Sequence, residues 1–161
     1  MTEAQKTAIP RPGARSGQAQ ELTVILPLKP GAAERIRAAQ ADPKYAALLD
    51  QANIDKVGTV HDFRIVLFDN DTRMIFASTF DGGWEEYIND FATYIPDVID
   101  FAFHECEGWP GIHSPDVKDY IVKHQITATR FYSAYPNVTV RDVRKAVKTK
   151  AALDDLLDSA G

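Results

Sequence analysis

Residues 58–82, GTVHDFRIVLFDNDTRMIFASTFDG, constrain the fold more than any other part of the chain. Apolar and polar side chains alternate through two runs on either side of Asn70-Asp71, a pair that tolerates the positive φ angles of a two-residue loop. A period of two marks a strand with one covered face, so this stretch predicts a β-hairpin. Such a loop sets Leu67 opposite Met74, Ile65 opposite Phe76, Phe63 opposite Ser78 and His61 opposite Phe80. That face packs on helices. The other face carries Asp62, Arg64, Val66 and Phe68 on one strand, with Ile75, Ala77 and Thr79 on its neighbour. It is half apolar, unlike either a dry core or an ordinary solvated surface.

The remaining chain supplies partners for this hairpin. LTVILPLK (22–29) reads as a first strand, stopped by Pro30-Gly31, and an alanine-rich helical stretch follows, broken at Asp42-Pro43. From Trp84, apolar residues recur at 87, 88, 91, 95, 98, 99, 102, 103 and 106, the stripe of a helix lying along a sheet. Pro96 interrupts that helix, and Gly108 and Pro110 end it. A helix over 114–125 opens with Ser-Pro, an aromatic strand is expected over 126–136, and Thr139 caps a terminal helix over 139–159. The order β-α-β-β-α-(α)-β-α predicts an α+β fold. It is the ferredoxin-like split βαβ arrangement, an antiparallel four-stranded sheet with extra C-terminal helices.

With 161 residues, 45% of them apolar, the chain suits one core, assigned to residues 21–161. Residues 1–20 offer little to bury and are expected to form a disordered tail. A net charge of -5 argues against nucleic-acid binding. The basic run VRDVRKAVKTK (140–150) precedes the acidic LDDLLD (153–158), which together describe a solvated amphipathic helix. One cysteine excludes an internal disulfide and points to a reducing compartment. No apolar run approaches the ~20 residues of a membrane span, and no signal-peptide pattern opens the chain. A cytoplasmic protein is expected.

FAFHECEGWPGIH (101–113) concentrates the remaining chemistry. Cys106 continues the buried stripe and reads as an inert core residue. His104 lies off that stripe, four residues after Asp100, and is either a polar helix end or a ligand-facing group. The spacing matches no metal motif, so no metal is expected. His61, at the edge of the hairpin's core face, is either a satisfied structural histidine or a group reaching a pocket at the sheet's end. Arg64, opposite the small Ala77, either pairs with a carboxylate such as Asp62 or grips a ligand.

Four strings, GTVHDFRIVLFD, IFASTFDGGWEEYINDF, FHECEGWPG and YSAYPNVTVRDV, together resemble segments of little-characterised bacterial proteins of the dimeric α/β-barrel group. That group includes dye-decolourising peroxidases, chlorite dismutases, haem-degrading monooxygenases and cofactor-free monooxygenases. The resemblance implies a homodimer and a pocket on the outer sheet face for haem or a hydrophobic, aromatic small molecule. It would place Asp62, Arg64, Thr79, Arg130 and Tyr132 around that pocket, with His104 as an axial haem ligand. Asp81-Gly82 in STFDGGW matches only part of the peroxidases' GxxDG motif. Two functions fit: an oxidoreductase or tailoring enzyme, haem-dependent or cofactor-free, or a carrier of haem, lipid or hydroperoxide for a partner enzyme.

Overall fold

The structure, a computed structural model, describes residues 13–160. Its sheet is open and antiparallel, with strands β1 (Arg15–Ser16), β2 (Ala19–Pro27), β3 (Val60–Phe68), β4 (Arg73–Asp81) and β5 (Gln125–Ile126). The order is β3–β4–β2, with β1 and β5 sharing the far edge of β2. Helices α1 (Ala32–Ala41), α3 (Trp84–Tyr94), α4 (Pro96–Phe103) and α5 (Val117–His124) cover one face. A 3-10 turn (Pro43–Tyr45) and the short α2 (Gln51–Ile54) lead into β3, and α6 (Val140–Ser159) closes the described chain.

The central hairpin follows its period-two pattern for most of its length. Leu67 pairs with Met74, Ile65 with Phe76, Arg64 with Ala77 and Phe63 with Ser78. Asn70 and Asp71 both have positive φ, and Thr72 N–H donates to the Asp69 carbonyl to close the turn. At the far end the register shifts. Val60, not His61, pairs with Phe80, and Asp62 pairs with Thr79, so His61 is a bulged residue with no cross-strand partner.

Alternation on β2 and β4 sends Leu22, Val24, Leu26, Met74, Phe76 and Phe80 into the core. There they meet the stripe of α3 and α4, whose junction at Ile95 restarts with Pro96 in the first turn. Phe80 stacks on Tyr87 at 3.9 Å between ring centroids. The Tyr87 hydroxyl, buried with it, donates to Ser78 Oγ at 2.9 Å, and burial pushes that phenol far above its ordinary range.

Two expectations are corrected at the edge of β2. Residues 15–20 are not a tail: β1 and the start of β2 form a small hairpin, and Ala19 and Gln20 are buried. Strand pairing needs backbone N–H and C=O groups, not apolar side chains, so the polar composition was no obstacle. The turn at Gly17 lies directly against the Pro136 backbone, where a Cβ would approach the carbonyl oxygen to 2.4 Å, and Gln18 N–H donates to the same oxygen. The rest of the expected tail, residues 1–12, lies outside the described residues. The second correction is the last strand, expected over 126–136. Only Gln125–Ile126 pair with β2, and residues 127–138 follow the edge without regular structure.

Glu21 holds these pieces together. It is 5% exposed, and one carboxylate oxygen accepts from both Ala14 N–H (3.0 Å) and Ala128 N–H (2.8 Å). The other accepts from the Thr23 hydroxyl at 2.8 Å. Further along β2 the edge is taken by Glu105–Glu107: Lys29 N–H donates to Glu105, and Glu107 N–H donates to Pro27. Among the described residues no helix is long and apolar enough to cross a membrane.

Candidate functional site

The bulge at His61 swings its imidazole onto Asp81, the last residue of β4. Nε2 lies 2.6 Å from Asp81 Oδ1, and Asp81 Oδ2 accepts the Val140 N–H, the first of α6, at 2.7 Å. The Asp81 carboxylate is thus fixed from two sides. An ionised carboxylate only accepts, so the tautomer it selects carries its proton on Nε2 and leaves Nδ1 as a lone pair. Among the described residues Nδ1 has no partner.

Beside the imidazole an open recess of about 290 Å³ runs between the start of β3 and the segment containing α2. Leu49, Ile54, Val57, Val60 and Phe63 line it with His61, and Gln51, Asp55 and Asp62 add polar groups at its margin. Its size is just below the roughly 300–1,000 Å³ typical of ligand sites, and its walls combine an apolar floor with several polar groups, two of them carboxylates.

The other expected site residues fall into three groups. Asp62, Arg64 and Thr79 sit near His61 on the hairpin's outer face, but Arg64 is 67% exposed with Asp62 only 3.5 Å away. No pocket closes around it there, because nothing described covers that face. Arg130 and Tyr132 lie exposed in the irregular segment, and no hydrogen bond or ion pair among the described residues ties them to the hairpin. His104 is at the opposite end of the sheet, where Lys29 donates to its carbonyl. Eight residue steps of β4 separate the two ends, roughly 27 Å at ~3.4 Å per residue.

The 101–113 cluster is architecture. His104 Nδ1 hydrogen-bonds the Phe101 carbonyl at 2.7 Å, and Arg35 grips Glu105 through two bonds of 2.8 and 2.6 Å. Arg35 holds the Glu105 carboxyl below its ordinary range, so this pair stays ionised. Asp100 Oδ1 accepts from Trp109 Nε1 (2.8 Å) and Ile112 N–H (2.9 Å), which fixes the Gly-Trp-Pro-Gly turn. Cys106 is fully buried, and desolvation raises its thiol to about 12. Native protein at pH 8 is therefore expected to resist thiol-disulfide reagents over a period in which urea-unfolded protein is fully labelled. Prompt labelling of native Cys106 would contradict its place in the core.

Haem at His104 does not fit these residues. The recess beside it holds about 40 Å³, lined by Ile36, Ala39, Leu49, Ile65, Met74 and Phe101 among others, and Nε2 faces Glu105 at 3.4 Å. No protein-family profile, curated protein or solved structure matches the chain.

Proposed function

We propose that the chain is an enzyme that removes a proton from a hydrophobic small molecule bound beside His61. The 2.6 Å bond between His61 and Asp81, at the lip of a recess with five apolar lining residues, carries this reading. The proton passes from an acidic C–H or O–H of the substrate to Nδ1, and the electron pair stays behind as an enolate or phenolate. Asp81 stabilises the imidazolium so formed, while its second bond to α6 keeps the carboxylate from turning away. The proton then returns to another atom of the product or leaves to water. Formation of such an anion is also the opening step of tailoring chemistry on aromatic or enolisable compounds, which connects this site with the cofactor-free members of the group that the sequence resembles. The strand order β3–β4–β2–β5 supports reading the core as a split βαβ unit.

A direct test uses nitrobenzisoxazole, an apolar aromatic compound whose ring opens with a visible signal when one carbon-bound proton is removed. Saturable turnover above that of an equal concentration of free imidazole is expected. Turnover no greater than that of imidazole, with no saturation, would refute a general base in this recess.

A further inference from the structure

Helix α6 has almost nothing packed against it. Beyond Val140 every residue through Ser159 is exposed, including Val143, Val147, Leu153, Leu156 and Leu157. Val143, Val147, Leu153 and Leu157 lie along one stripe of a helix that spans about 30 Å, with Leu156 beyond its margin. Isolated apolar residues on a surface need no explanation, but an ordered stripe of this length does. The helix is nonetheless well begun: Thr139 and Asp142 form a reciprocal capping box, and Lys150 pairs with Asp154 one turn on, within the stripe itself.

The flanking charges indicate what covers it. Spacings of three, four and seven place Arg141, Arg144, Lys148, Asp155 and Asp158 along one flank. The first half of that flank is basic and the second half acidic. A parallel copy of the helix would set like charges together. An antiparallel copy, turned about the helix midpoint, sets Arg141 opposite Asp158 and Arg144 opposite Asp155. The same operation brings Val143 onto Leu156 and Leu157, and Ala146 and Val147 onto Leu153. Apolar stripe and charge flank are thus both complementary to themselves under one two-fold axis.

We infer that α6 is a self-association surface, on which the α6 of a second copy of this chain packs antiparallel. Two polar pairs must adjust. Arg144 now bonds Asp55 at 3.1 Å, an exposed contact that exchanges partners at little cost. The Lys150–Asp154 pair falls near the axis, where a paired polar element in an otherwise apolar seam sets register. This surface is separate from the outer sheet face, where Val66 is 43% exposed and where the resemblance would put the dimer contact.

The test is the mass of the full chain in solution by sedimentation and light scattering. The wild-type chain is expected to be a dimer at tens of micromolar. Arg141→Asp with Arg144→Asp makes the flank acidic at every position but Lys148, and Asp155→Arg with Asp158→Arg makes it wholly basic. Each variant alone is expected to fall to monomer, about half the mass, and an equimolar mixture to return to dimer. Recovery on mixing shows that neither variant had lost its helix. A monomeric wild type would overturn the inference. So would charge variants that remain dimeric while Val66→Lys dissociates the chain, which would assign association to the sheet face instead.

Discussion

His61→Gln is expected to lower turnover of nitrobenzisoxazole by about 10²–10⁴-fold, the usual worth of a positioned general base. Glutamine can still donate to Asp81 Oδ1, so the carboxylate keeps a partner, but it offers no basic nitrogen. Because His61 is exposed and bulged, the melting temperature should change little. Asp81→Asn acts on the same bond from the other side. Its carboxamide can accept from Val140 as Asp81 does, yet it now presents an N–H to Nε2 and drives the proton to Nδ1. The base is lost without being removed. Steady-state kinetics should show kcat falling in both variants with KM little changed, since neither residue is replaced by one that fills the recess. Unchanged kcat in His61→Gln would place the chemistry elsewhere.

The largest loss of stability from a single polar side chain is expected at Glu21. Glu21→Ala strands the Ala14 and Ala128 N–H groups and the Thr23 hydroxyl at once. At ~1–3 kcal/mol per stranded donor, a loss of about 2 kcal/mol or more follows. Glu21→Gln keeps an acceptor oxygen for the two N–H groups and should recover much of it. A urea titration reads the loss as a lower midpoint, and hydrogen exchange should show faster opening of residues 13–18 and 127–138 together. A midpoint within error of wild type would mean that the edge of β2 is held by backbone pairing alone.

How far these features could be seen in the sequence depends on which force made them. The hairpin register and the α3–α4 stripe come from burial, and burial writes a period into the chain, so Leu67 against Met74 and the restart at Pro96 were legible. Hydrogen-bonded architecture writes no period. The small strand at Arg15–Ser16, the anchoring role of Glu21 and the collapse of the expected last strand to Gln125–Ile126 all depend on backbone groups and one carboxylate. The candidate site lies between these cases. His61 was visible as a histidine at the end of a core face, but its partner Asp81 was not. The sign of it was present: Val60 and Phe63 are both apolar and three apart, an odd interval in a period of two, which is what one extra residue produces. Arg64 stands out in the sequence because strand parity reports facing and says nothing of whether a wall stands opposite.

The covering of β2's edge bears on how the chain behaves at high concentration. A sheet grows into a fibre only if each added molecule offers a fresh edge to the next. Here one edge is occupied in turn by β1, β5 and residues 105–107, all from the same molecule. Among the described residues β3 is the one long strand left unpaired along its outer side, since β1 and β5 expose only two residues each, and there the bulge at His61 and the charges of Asp62 and Arg64 interrupt a flat template. Edge-to-edge joining between folded molecules through β3 therefore meets no second long edge through which to propagate. Fibrillation through this side would have to begin by peeling residues 13–18 and the 125–138 strap from β2, which makes the Glu21 carboxylate a guard against polymerisation as well as a tie within the fold.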